Sequence, residues 1–163
     1  MRRAIYPGSF DPFTLGHMDV LLRGCRLFDE VLVCVTENSA KKALFDIDER
    51  VRMIRLAIEE AGLRNARVDC FAGLTARYAQ SVDAGYIVRG LRNATDFAYE
   101  SEMEVYNRLL APEVETVYLN CDVKTAHISS SAVRELIKYG ADIGTLVPDR
   151  INKYVSERLK NDE

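Results

Sequence analysis

The sequence predicts an α/β fold built on a mostly parallel sheet, and two observations carry that prediction. Short β-branched runs alternate with longer helical patterns from one end of the chain to the other, the signature of repeated βαβ units. The runs are also near-continuously apolar, as sheet strands covered on both faces tend to be. No internal repeat, low-complexity tract or Pro/Ser-rich linker divides the chain, so residues 1–163 read as one domain.

The first strand, Arg3 to Tyr6, ends at the Pro7-Gly8 turn signal and leads to a helix over 16–28. The second strand, Glu30 to Thr36, holds the aliphatic run Val31 to Val35. A helix over 47–62 follows: Val51, Ile54, Ile58 and Ala61 share one face, Asp46 and Glu49 have capping-box spacing, and Gly62 stops it. The third strand is Ala66 to Phe71, with a helix over 75–84, and the fourth is Tyr86 to Val88. The helix over 94–110 carries Tyr99, Met103, Tyr106 and Leu110 as a stripe, with Ala98, Val105 and Leu109 beside it. That surface is wider than one contact with a sheet needs, and it reads as core before subunit interface. The fifth strand, Glu115 to Leu119, precedes helices over 130–139 and 149–160 and a frayed tail from Lys160.

Composition narrows the function classes. With 48% hydrophobic and 29% charged residues the chain is globular, and at this length it can bury roughly 70% of its unfolded surface without staples. Net charge is −3 and the pI about 5.5, which gives no global footprint for nucleic acid and points to a small-molecule ligand or protein partner. The run Val31 to Val35 is far short of the roughly 20 residues of a membrane span, and Met1-Arg2-Arg3 leads into a strand rather than an apolar signal core. A cytoplasmic protein is expected. Cys25, Cys34, Cys70 and Cys121 form no Cys-x-x-Cys pair, and only His17 and His127 could complete a metal site, so zinc is not expected. Cys34 and Cys70 lie in apolar runs and read as buried structural thiols.

In a parallel sheet the ligand binds beyond the carboxyl ends of the strands, and the loops there carry the chemistry. The first reads Pro7 through His17, with Ser9 just after the turn and Gly16-His17 at the expected helix start, where free N–H groups and a histidine donor suit a phosphate. The competing reading is that Thr14 merely caps the helix and His17 sits on its surface. Arg89-Gly90-Leu91-Arg92 places two guanidinium groups at the fourth strand's end, whose forked donors suit oxyanions. Ile128-Ser129-Ser130-Ser131 brings hydroxyls to a helix start, more than one serine N-cap explains. Lys41-Lys42 follows the second strand. Neither a Walker loop nor Gly-x-Gly-x-x-Gly is present, and no nucleophile and base have a familiar family spacing. Together these clusters point to phosphoryl or nucleotidyl transfer by positioning and charge, with no protein base required.

The segments Ala4 to Pro12, Thr14-x-Gly16-His17, Lys41-Lys42, Arg89 to Arg92 with Asp96-Phe97 and Tyr99-Glu100, and Ile128 to Ser131 closely resemble the bacterial phosphopantetheine adenylyltransferase family of nucleotidylyltransferases. Thr-x-Gly-His marks the superfamily; the Arg-Gly-Leu-Arg segment with the triple serine marks this member. The resemblance implies a Rossmann-like, doubly wound five-stranded parallel sheet with helices on both faces and C-terminal helices. It implies transfer of the adenylyl group of ATP to 4′-phosphopantetheine, giving dephospho-CoA and pyrophosphate in coenzyme A synthesis. His17, Lys41 and Arg92 take the catalytic positions. Ser9, Lys41, Leu74, Thr75, Arg89 and Asn107 take those for phosphopantetheine. ATP is expected against Ser9, Phe10, His17, Gly90, Leu91, Arg92, Glu100 and the loop Thr125, Ala126, His127, Ile128, Ser129, Ser130 and Ser131. Magnesium would bridge the phosphates, held by nucleotide and water rather than by protein ligands. Homohexamers and feedback inhibition by coenzyme A belong to the same resemblance. Two positions depart from the pattern: Thr75 stands where a larger apolar residue is common, and Asn120 to Lys124 replaces a Pro-containing segment. The nearest rival is a sister nucleotidylyltransferase using CTP or another phosphate acceptor; a nucleotide-binding protein without catalysis is the rival of a different class.

Overall fold

The computed structural model describes residues 1–36 and 42–161. Strands β1 (Arg3–Gly8), β2 (Glu30–Thr36), β3 (Ala66–Phe71), β4 (Tyr86–Leu91) and β5 (Glu115–Asn120) alternate with helices α1 (Leu15–Leu27), α2 (Ile47–Glu60), α3 (Thr75–Ser81) and α4 (Ala94–Leu110). Helices α5 (Ser130–Lys138) and α6 (Asp149–Asn161) complete the chain. The strands form an all-parallel sheet in the order β3-β2-β1-β4-β5. The chain winds outward from β1 to β3, then returns to the other side of β1 with β4, and this reversal opens a crevice at the carboxyl ends of β1 and β4.

Alternation along the central strands divides the core in two. Ala4, Tyr6, Val31, Val33, Val35 and Val88 face one layer, packed by α1, α2, α5 and α6. Ile5, Cys34 and Ile87 face the other, where Ala76, Ala79, Ala84 and Ala111 make a smaller layer under α3 and α4. The period of 2 that separates these sets is the pleat itself. The capping box of α2 forms as its spacing predicts: Glu49 N–H donates to Asp46 Oδ1 at 2.8 Å and Asp46 N–H donates to Glu49 Oε2 at 3.0 Å. The helix stops before Gly62, whose φ of 63° lies in the left-handed region.

Several expectations are corrected. The buried face of α2 is Arg50, Met53, Ile54, Ala57 and Ile58, with Val51 half-buried and Ala61 exposed at the C-cap. β1 and β4 run on through the residues read as turn and loop, because Pro7 and Gly8 pair with Cys34 and Val35, and Arg89 and Gly90 pair with Tyr118 and Leu119. The edge strands β3 and β5 are only partly covered, so Cys70 is exposed while Cys34 is buried. α4 has no buried residue, and Phe97, Tyr99, Val105, Tyr106 and Leu109 are exposed. Its inner face meets a thin alanine layer and an edge strand, which leaves the broad apolar stripe outside the core of this chain. Among the described residues no helix is long and apolar enough to cross a membrane.

Candidate active site

A cleft of about 620 Å³ opens where β1 and β4 end. Its floor begins with the loop after β1. Phe10 takes a φ of 48° and is 2% exposed, with its ring folded back over Gly8; a Cβ at Gly8 would stand 2.8 Å from Phe10 Cζ. Only glycine allows that approach. Tyr6 and Phe13 close around the same ring, at centroid distances of 5.3 and 5.5 Å. Asp11 anchors the loop through long-range contacts: its buried carboxylate accepts the N–H groups of Leu44 and Phe45, both at 2.9 Å. Its carbonyl accepts from Arg134 Nη1 at 2.6 Å, and the Pro12 carbonyl accepts from Ser130 Oγ at 2.8 Å. The β1 loop is thereby tied to the segment before α2 and to the start of α5.

Of the two readings of this loop, the cap at Thr14 forms, but His17 lines the cleft rather than sitting on the helix surface. Thr14 does cap α1, and His17 completes a capping box in which Thr14 N–H donates to Nδ1 at 3.0 Å. A backbone N–H can only donate, so Nδ1 carries the lone pair and the proton of the neutral ring sits on Nε2. The ring packs edge-on against Phe10 and lies beside Phe13, at centroid distances of 5.0 and 5.4 Å, and lines the cleft. Burial, then the charges of Arg92 and Arg89, pulls its pKa from 6.5 down to about 4. At neutral pH His17 is therefore an uncharged donor.

The two arginines of the fourth strand face the same space, each held by a carboxylate of α4. Arg89 Nε donates to Glu100 Oε2 at 2.8 Å, Nη2 donates to Glu100 Oε1, and Nη1 donates to the Pro7 carbonyl at 2.6 Å. Arg92 grips Asp96 through Nε at 2.9 Å and Nη2 at 3.1 Å, and its own N–H reaches Asp96 Oδ2 at 3.0 Å. Asp96 and Glu100 are one turn apart, so one helix face orients both forks. Gly90 between them packs against α1, where a Cβ would meet Val20 Cγ2 at 2.8 Å. The unusual 120–124 stretch is held by Asp19, which accepts from Asp122 N–H at 3.1 Å and from Arg23 Nη2 at 2.9 Å, and Cys121 N–H donates to Leu91 O at 2.7 Å.

Each serine of the triplet has an intramolecular partner. Ser129 Oγ caps α5 by accepting from Ala132 N–H at 3.1 Å, Ser130 bonds Pro12 as described, and Ser131 Oγ accepts from Arg134 Nη2 at 3.0 Å. The cleft thus brings together Ser9, Phe10, His17, Arg89, Gly90 and Arg92, and further Glu100 and Ile128 to Ser131. Leu91 is buried behind it, and Thr125 and Ala126 turn back onto the Asp122 carbonyl. Leu74 is exposed at the N-cap of α3, Thr75 opens that helix, and Asn107 is half-exposed on α4; these three and Thr125 to His127 are not in the lining. Lys41 lies outside the described residues, whereas its neighbour Lys42 lines the cleft.

Asp11, Arg50, Asp96 and Arg134 also line it, and none was singled out as a site residue from the sequence. The four-residue spacing of Arg92 and Asp96 was a legible signal; Asp11 and Arg50 act across 33 to 41 residues and have no local one. The carboxylates in the lining are all engaged, Asp11 by backbone N–H groups and Asp96 and Glu100 by arginines. Among the described residues no group of three or more His, Cys, Asp or Glu could hold a metal ion.

Residues 5–136 match the cytidylyltransferase-like family. Phosphopantetheine adenylyltransferases align along nearly the whole chain. That of Syntrophomonas wolfei is 45% identical over 99% of both chains, and that of Dictyoglomus turgidum 43% over 98% of this chain and 99% of its own. That of Thermosynechococcus vestitus is 46% identical over 92% of this chain and 88% of its own. The chain belongs to the phosphopantetheine adenylyltransferase family. Its fold is shared more widely: a solved structure from Vibrio parahaemolyticus, described as a candidate nicotinate-nucleotide adenylyltransferase, superposes with a TM-score of 0.70 at 23% identity, over 95% of this chain and 99% of that one.

Proposed function

We propose that this phosphopantetheine adenylyltransferase chain joins the adenylyl group of ATP to 4′-phosphopantetheine in the cleft between β1 and β4. The observation that carries the reading is the convergence of His17, Arg89 and Arg92 in one cleft, where every carboxylate among the described lining residues is already engaged. A phosphomonoester has its second pKa at about 6, so the acceptor arrives already anionic. An oxygen of that phosphate attacks the α-phosphorus, the bond from the α-phosphorus to the oxygen bridging to the β-phosphate breaks, and pyrophosphate leaves. The protein supplies position and stabilisation of the charge that builds on the phosphoryl oxygens.

In this reading His17 donates through Nε2 to a phosphoryl oxygen of the pentacovalent transition state, and Lys41 with Arg92 neutralises the phosphates. The neighbour of Lys41, Lys42, lines the cleft. Ser9 and Arg89 hold the acceptor's phosphate, and Leu74, Thr75 and Asn107 carry its pantetheine arm beyond the cleft. ATP lies against Phe10, Gly90 to Arg92, Glu100 and residues 125–131, with the free N–H groups at the start of α5 turned to its phosphates. Magnesium enters as part of the nucleotide substrate. The chain acts as a single nucleotidylyltransferase domain, and the exposed apolar face of α4 supports assembly of copies, with coenzyme A as a feedback ligand. The test is product identification. Purified protein with magnesium, ATP and 4′-phosphopantetheine should yield dephospho-CoA by mass spectrometry; consumption of neither substrate would overturn the reading.

A further inference from the structure

Arg50 is a cation the reading above does not use. It stands on the buried face of α2, is 4% exposed, and lines the cleft. Its partners are all main-chain carbonyls: Nε donates to Asp46 O at 3.2 Å, and Nη1 donates to Ser9 O at 2.9 Å and Thr36 O at 3.3 Å. No carboxylate of a described residue pairs with it, and its Nη2 donates to none of them. A buried guanidinium without a counter-charge is strongly disfavoured unless an anion completes it. The contrast with Arg89 and Arg92, each neutralised by a carboxylate of α4, is internal to the same cleft.

Position says which anion. Arg50 holds the ends of β1 and β2, through Ser9 and Thr36, and Lys42 lines the same cleft. Ser9, whose carbonyl Arg50 holds, is assigned to the acceptor's phosphate, and that neighbour points Arg50 at the same group. We infer that Arg50 binds the phosphate of the acceptor through its Nη2 edge, while its Nη1 fixes the Ser9 carbonyl and hence the hydroxyl that holds the same phosphate. Arg50 is a specificity residue: it makes the site require a phosphorylated acceptor and reject the unphosphorylated alcohol. The inference rests on the acceptor named above and deepens it.

The test is calorimetric binding of 4′-phosphopantetheine, pantetheine and ATP to wild type, Arg50→Gln and Arg50→Lys, with melting temperatures recorded for each. Both proteins that fold should lose affinity for 4′-phosphopantetheine, by at least about 30-fold for Gln and less for Lys, the scale of a charged hydrogen bond. Binding of pantetheine and of ATP should stay within about threefold. A merely structural arginine would weaken all three ligands together, and that result, or unchanged phosphopantetheine binding, overturns the inference. If Arg50→Gln does not fold, Arg50→Lys alone decides by the same ratio. Wild type that prefers neither acceptor form would overturn the acceptor assignment itself, an outcome read before any variant is compared.

Discussion

Thr14 N–H and His17 Nδ1 lie 3.0 Å apart, and this one hydrogen bond fixes the tautomer of the ring that faces the cleft. The residue that caps α1 thus also decides which nitrogen of His17 carries the proton. Removing the donor should be costly: His17→Ala is expected to lower turnover by about 100-fold or more while the protein stays folded, as measured by steady-state rate and melting temperature. Near wild-type turnover would contradict the role given to His17.

The depressed pKa of His17 has a definite sign. The ring titrates at about 4 in the folded chain against 6.5 when unfolded, so between those values the unfolded chain binds the proton that the folded one refuses. Its contribution to stability is complete above pH 6.5 and is lost as pH falls toward 4. Nitrogen NMR of the labelled ring should show Nε2 protonated and Nδ1 bare from neutral pH down to about pH 5, with a midpoint near 4. A midpoint near 6.5 would contradict the buried, arginine-flanked environment.

Glu100 orients Arg89 through both carboxylate oxygens. Glu100→Ala should release that fork and leave a cation of the cleft without its partner, lowering kcat/KM by roughly 10- to 100-fold, the scale of one charged hydrogen bond. The Arg89→Ala variant should weaken 4′-phosphopantetheine more than ATP; equal losses for the two would contradict its assignment to the acceptor.

Gly8→Ala places a methyl 2.8 Å from the ring of Phe10, which Tyr6, Phe13 and His17 prevent from swinging away. Overpacking of this kind should cost about 1–3 kcal/mol in denaturant unfolding, with loss of activity through the displaced His17.

The parallel sheet, the order of its elements and the α2 capping box were legible because they rest on local patterns: apolar runs of strand length, helical spacing, and Asp46 three residues before Glu49. What escaped the sequence depends on contacts distant along the chain. The single-chain exposure of α4 reflects the thin alanine layer beneath it, which the width of its stripe does not reveal. Cys70 reads as buried from its apolar neighbours, but β3 is an edge strand. The arginine pair and the histidine were visible as motifs, whereas the contact of Arg50 with the Ser9 carbonyl and the loop anchor at Asp11 join residues more than 30 positions apart. The triple serine reads as a row of hydroxyls at a helix start, whereas the cross-loop bond of Ser130 to Pro12 depends on a residue distant along the chain.

The central claim is the pairing of ATP with 4′-phosphopantetheine in this cleft. Pyrophosphate release from purified protein with magnesium and ATP tests it most directly, comparing 4′-phosphopantetheine with nicotinate mononucleotide and glycerol 3-phosphate, and then replacing ATP by CTP. Release with ATP and 4′-phosphopantetheine, and with no other pairing, is the predicted result. Release with a different acceptor or with CTP in preference would contradict it.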